Sequence, residues 1–187
     1  MIFFSALRSR RDFFKISFFA ATLTLLRPRI SWGKRAVVLP PEPLTLYNTH
    51  TGERLSVAYR TPSGDYDPAA LSALDRLLRC HYNNEIHPID PRTLDYLALL
   101  DQKLGGGHDI HIISAYRSPS YNSLLQSQGR GVAAHSLHLQ GRALDVRIPG
   151  VELYRLKEAA LRLARGGVGY YPRSDFVHID SGPVRRW

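Results

Sequence analysis

Cysteine is nearly absent: Cys80 is the only one in 187 residues. A single thiol closes no intramolecular disulfide, and zinc sites built on paired cysteines are excluded with it. The residue reads as a small, partly buried side chain on a helix. His81 follows it directly, but neighbours on a helix diverge by about 100° and so make no Cys–His catalytic pair. A Gly-rich phosphate loop is also lacking, which disfavours nucleotide-binding folds. There are no internal repeats, low-complexity tracts or long linkers, so one domain is expected. The apolar run Ile16 to Leu26 holds only eleven residues. As a helix it would rise about 16 Å, roughly half the hydrocarbon thickness of a bilayer, which is too short for an ordinary spanning helix.

Positive charge is plentiful, with a formal net charge of +9 and a pI near 10.0, a balance that raises nucleic acid or anionic lipid as partners. Its distribution argues otherwise. Residues 1–36 hold eight basic side chains against Asp12 alone, leaving 17 basic and 15 acidic groups in the rest. A nearly balanced body does not track phosphates, so no nucleic-acid partner is expected. The N-terminal order is charge, then a short apolar run, then polar residues, which is the grammar of an export signal. Ser9-Arg10-Arg11-Asp12-Phe13-Phe14-Lys15 resembles the twin-arginine export motif, with Phe14 in place of the common Leu. The expected division is an export signal at 1–36, a Pro-rich lead-in at 37–43 and a domain at 44–187. That implies a periplasmic location, with membrane contact only during export or through an uncleaved signal, since no small-x-small cleavage site surrounds Ala36.

Leu44 to Asn48 and Arg54 to Arg60 alternate around Thr51-Gly52 and predict a β-hairpin. Asp67-Pro68 and Asp90-Pro91 each set a capping carboxylate before a proline suited to the first helical position. Leu71, Leu74 and Leu78 share a face of the first helix, and Leu94, Leu97 and Leu104 a face of the second. Strands are expected over Asp109 to Tyr116, Arg142 to Ile148, Val168 to Tyr171 and Phe176 to Asp180. Helices are expected from Ser118-Pro119 and over Val151 to Arg165. Arg117 then falls at a strand-to-helix junction, a common place for function. Helices early and strands late make an α+β pattern.

The stretch with most chemistry is Ser136-x-His138-x-x-Gly141-x-Ala143-x-Asp145, followed by Phe176-Val177-His178-Ile179-Asp180. Together with Ser114 to Ser118, Gly166 to Pro172 and Val177 to Trp187, these motifs resemble the MepK/YcbK-type murein endopeptidases. These belong to the zinc D-Ala-D-Ala peptidase clan, with the hedgehog/DD-peptidase fold. The resemblance covers about residues 40–187. It implies a small antiparallel sheet with helices packed on one side, and one zinc held by His138, Asp145 and His178. The chemistry agrees: two imidazoles and a carboxylate leave zinc a position for water, as catalytic sites do, and zinc lowers that water's pKa to about 7. The plainer alternative is a hydrogen-bonded structural histidine with Asp145 as its ion-pair partner.

A carboxylate base is expected to take the water's proton. The resemblance points to Asp175, three residues before His178; Asp180, two residues after it, is a rival, and either is also a candidate to orient an imidazole. Arg117 corresponds to an arginine that lies beside the substrate carbonyl in the clan, where a fixed charge stabilises an oxyanion. Its alternative is a surface salt bridge. His135 and Ser136 flank a ligand; Tyr170, Tyr171 and Trp187 are candidates for a groove wall or for core. His50, His81, His87, His108 and His111 show no comparable spacing and receive no role. The expected activity is hydrolysis of an amide bond in peptidoglycan stem peptides or cross-links, by a monomer, and the resemblance implies a preference for meso-diaminopimelate cross-bridges. The competing reading is a noncatalytic, zinc-containing wall-binding module.

Overall fold

The computed structural model describes residues 42–187; the expected export signal and most of the lead-in lie outside the described residues. Strands β1 (Leu44–Asn48) and β2 (Arg54–Val57) form the expected antiparallel hairpin. Helices α1 (Pro68–Leu77) and α2 (Pro91–Leu104) follow. Asp67 caps α1 by accepting from the Ala69 and Ala70 amides, and Asp90 caps α2 through the Arg92 amide. Proline costs nothing at the first position, where the missing N–H has no intrahelical partner. Next come β3 (Asp109–Ser114), α3 (Pro119–Ser127), a 3-10 turn (Leu137–Gln140), β4 (Ala143–Arg147) and α4 (Leu153–Leu163). The chain closes with β5 (Gly167–Tyr171), β6 (Phe176–Asp180) and the two-residue β7 (Arg185–Arg186). Cys80 lies past the end of α1, fully buried, in a loop that is otherwise largely exposed. Leu78 prolongs the helical spacing as the residue capping α1, which is why Cys80 reads as helical.

The α+β class is as expected, but the sheet is larger and mixed. Its seven strands run β2-β1-β3-β4-β6-β5-β7, and the β1–β3 and β5–β7 pairs are parallel. A parallel neighbour needs a long crossover, and residues 58–108 with α1 and α2 supply one between β2 and β3. Four pairs, including β3–β4 and β4–β6, are antiparallel as expected.

Alternation along the strands separates two faces. Ile110, Ile112, Leu144, Val146, Val177 and Ile179 join one core with Leu94, Leu97 and Leu100 of α2 and Leu156 and Ala160 of α4. Each fully buried leucine contributes about 1.5–3 kcal/mol. The Tyr96 hydroxyl, inside that core, donates to the Ala160 carbonyl at 2.9 Å and ties α2 to α4. The other face of β4 and β6 carries Ala143, Asp145, His178 and Asp180, in the register Ala143↔Asp180 and Asp145↔His178. Helices α2 and α4 therefore occupy the apolar face, and the polar face is left to chemistry.

Candidate metal centre

Register alone places Asp145 beside His178; the 3-10 turn brings the third residue. Ser136 caps that turn by accepting from the His138 amide at 3.3 Å, and Gly141 ends it in the left-handed region at φ 62. A Cβ on Gly141 would also overlap the Pro88 carbonyl oxygen, so the position is closed to other residues on two counts. Gly141→Ala is expected to cost about 2–4 kcal/mol of stability, from left-handed strain plus the clash. Urea unfolding of the full chain would read this as a lower midpoint; an unchanged midpoint would contradict it.

Three buried atoms converge: His138 Nε2 and His178 Nδ1 are 3.2 Å apart, and Asp145 Oδ1 lies 3.3 Å from the first and 2.8 Å from the second. Tetrahedral zinc with ligands at about 2.0–2.1 Å has ligand–ligand edges of about 3.3–3.4 Å, so the triangle fits such an ion with a small expansion of one edge. Among the described residues, these three form the group able to hold a metal.

Each of the three has a second bond that aims it. His138 Nδ1 donates to the Ala115 carbonyl at 2.6 Å, which leaves Nε2 as its free lone pair. His178 Nε2 donates to Asp180 at 3.1 Å, which turns Nδ1 inward. Asp145 Oδ2 accepts from Arg117 Nη2 at 2.7 Å, leaving Oδ1 for the centre. Metal-binding imidazoles are regularly oriented in this way. Burial pushes His138 toward the neutral form. Burial also works against the Asp145 carboxylate, but the two imidazoles outweigh it and hold the carboxyl well below its usual range. His178 is raised, because its bonds to Asp145 and Asp180 overcome desolvation.

Arg117 is held in turn by its Nε bond to Ser114 Oγ at 2.9 Å, while its backbone N–H donates to the His138 carbonyl at 3.1 Å. Asp180 is fully buried and saturated: besides His178 it accepts from the Gly167 and Gly182 amides and from Arg185. Asp175, at φ 54, turns outward; its side chain is 64% exposed and pairs with Arg147 at 2.9 Å. A cleft of about 690 Å³ opens over the three ligand candidates. Tyr171, Phe176 and Trp187 wall one side, with Trp187 donating to the Tyr171 hydroxyl at 2.7 Å; His135 and Ser136 also line it. Tyr170 instead packs against the core.

Sequence reasoning did not find the Ala115 carbonyl, nor the presence of His50 and His81 in the cleft wall. A backbone carbonyl has no signature in residue type, although Ala115 lies inside the Ser114 to Ser118 motif. The two histidines come from separate loops and share no spacing.

The family model described as peptidoglycan L,D-endopeptidase MepK matches residues 38–187. A probable peptidoglycan L,D-endopeptidase MepK of Haemophilus influenzae is 44% identical over 155 residues, covering 81% of this chain and 83% of that protein. The peptidoglycan L,D-endopeptidase MepK of Escherichia coli is 42% identical over 167 residues, covering 89% and 84%. Among solved structures, the L-Ala D-Glu endopeptidase ChiX of Serratia marcescens aligns with a TM-score of 0.35 and 19% identity, over 51% of this chain and 69% of that one. A match over the described domain, with relatives at this identity along most of their length, means that the chain belongs to the MepK family of peptidoglycan endopeptidases.

Proposed function

We propose that this protein is a zinc-dependent peptidase that hydrolyses an amide bond in peptidoglycan stem peptides or cross-links, the L,D bond at meso-diaminopimelate cross-bridges being preferred. The observation that carries the reading is the convergence of His138 Nε2, Asp145 Oδ1 and His178 Nδ1 within 3.3 Å under an open cleft. When bound, zinc supplies Lewis acidity and brings the pKa of water to about 7. Arg117 holds Asp145 in place through its Nη2 bond to Oδ2. Its Nη1 has no protein partner among the described residues, so that edge of the guanidinium is available to a substrate carbonyl oxygen as charge develops. Residues 1–36 serve as a twin-arginine-type signal that delivers the domain at 44–187 to the periplasm, where the substrate lies.

Proton transfer is assigned to Asp175. Asp180 has no spare capacity, being buried and bonded to His178, Arg185 and two amides. Asp175 flanks the cleft residues Ser174 and Phe176, and its exposed pair with Arg147 is of the kind that costs little to break. Asp175→Asn is expected to lower kcat by about 10²-fold or more while zinc affinity stays the same. Asp180→Asn is expected to weaken zinc binding by about 10–100-fold. Steady-state kinetics beside zinc titration separates the two, and a full kcat in the Asp175 variant would move proton transfer elsewhere in the cleft.

The position of Asp175 outside the cleft and of Asp180 behind His178 favours, as a second reading, a wall-binding module that keeps zinc for stability. Digestion of purified muropeptides by the zinc-loaded full chain decides between them. Splitting of cross-linked dimers supports the peptidase; sacculus binding with every dimer intact supports the module.

A further inference from the structure

The cleft wall also carries a preformed imidazole pair. His50 and His81 stack face to face, with ring centroids 3.7 Å apart and planes 7° from parallel. The His50 backbone and the His81 ring are each tied to the fold. The His50 amide donates to Asn48 Oδ1 at 3.0 Å, and Asn48 is buried and anchored by its bond to the Leu77 carbonyl. His81 Nε2 meets the Tyr121 hydroxyl at 3.1 Å, and Tyr121 in turn stacks on Tyr82. Among the described residues, neither ring nitrogen of His50 and not Nδ1 of His81 has a hydrogen-bond partner, although both residues line the cleft. Nothing in the packing of the core uses this pair, and it takes no part in holding a metal.

The charges around it favour an anion. Asp145 is the one carboxylate among the lining residues, and it faces Arg117 and the two ligand histidines. Arg117, Arg130 and Arg185 also line the cleft. Arg117 and Arg185 are engaged by Asp145 and Asp180, whereas the exposed Arg130 side chain has no ion-pair partner among the described residues. Burial, reinforced by His50 and Arg117, pushes His81 down to about 4, so at neutral pH its ring is an uncharged donor. An arriving carboxylate meets two rings already stacked against each other, which lowers the cost of ordering them.

We propose that the His50–His81 pair, in a cleft that Arg130 also lines, is a subsite for a free carboxylate of the substrate and so determines which wall peptides are accepted. This inference rests on the wall-peptide reading above. Stem peptides carry such groups away from the scissile bond, on the D-glutamate and diaminopimelate residues, and the shared chemistry is a carboxylate held by imidazole N–H groups.

The test is calorimetric binding of stem peptides to the full chain with its metal chelated, so that nothing is cleaved. Three peptides are compared: one with all carboxylates free, one amidated at the glutamate α-carboxyl and one amidated at the diaminopimelate carboxyl. In the native protein one amidation is expected to weaken binding about tenfold, the effect of losing one charge-assisted hydrogen bond, and the identity of that peptide names the carboxylate. His50→Gln, at an exposed position that leaves the fold intact, and His50→Gln/His81→Gln should reduce this discrimination, the double variant to about twofold or less. Discrimination unchanged in both variants overturns the subsite alone. Binding of none of the peptides overturns the subsite and the wall-peptide reading together.

Discussion

Changing His138 to alanine is expected to abolish zinc binding and to lower kcat/KM on cross-linked wall peptides by about three orders of magnitude or more. That factor corresponds to the several kcal/mol of charge stabilisation that a metal supplies to an acyl-transfer transition state. The change removes one corner of the triangle, and with it both edges to Asp145 Oδ1 and His178 Nδ1; a carboxylate with one imidazole is a poor zinc site. It also strips the buried Ala115 carbonyl of its donor, which costs about 1–3 kcal/mol of stability. Thermal unfolding with and without zinc separates the two losses. Zinc should raise the Tm of the native chain through binding to the folded state and leave that of the variant where it is. Zinc stabilisation of both proteins to the same extent would contradict the ligand set.

Arg117→Lys is the second large effect. One ammonium cannot reproduce the two directed bonds that the guanidinium makes, Nη2 to Asp145 and Nε to Ser114. The variant should lose about 10²–10³ in kcat if the arginine also faces the developing oxyanion. The larger share should fall on kcat and the smaller on KM, because the interaction strengthens only as charge develops. Weakening the Arg117–Asp145 pair, which is 13% and 4% exposed at its two side chains, also lowers stability, since a buried carboxylate left alone is costly. A variant with native kcat and lowered Tm would reduce Arg117 to a structural partner of Asp145.

Much of the fold was legible because its signals are local. The hairpin, the two aspartate–proline helix starts and the strand Phe176–Asp180 stand where alternation and capping put them. The parallel β1–β3 pairing was not legible, since it depends on where a long crossover returns. In the site, His138 and Asp145 come from one compact motif, and strand parity puts Asp180 on the same face as His178. What sequence cannot show is depth. Asp175 and Asp180 are both close to His178 along the chain, yet one turns outward at φ 54 to meet Arg147 and the other is sealed behind the imidazole. The Ala115 carbonyl and the His50–His81 stack escape for a related reason: they arise where loops distant in sequence meet.

The most direct measurement is a zinc titration of the metal-free full chain with cleavage of a purified cross-linked muropeptide dimer followed in parallel. Activity should rise in proportion to bound zinc and saturate at one ion per chain, with His138→Ala silent throughout. Dimer cleavage by the metal-free protein, or full zinc occupancy with every dimer intact, would contradict a zinc peptidase centred on His138, Asp145 and His178.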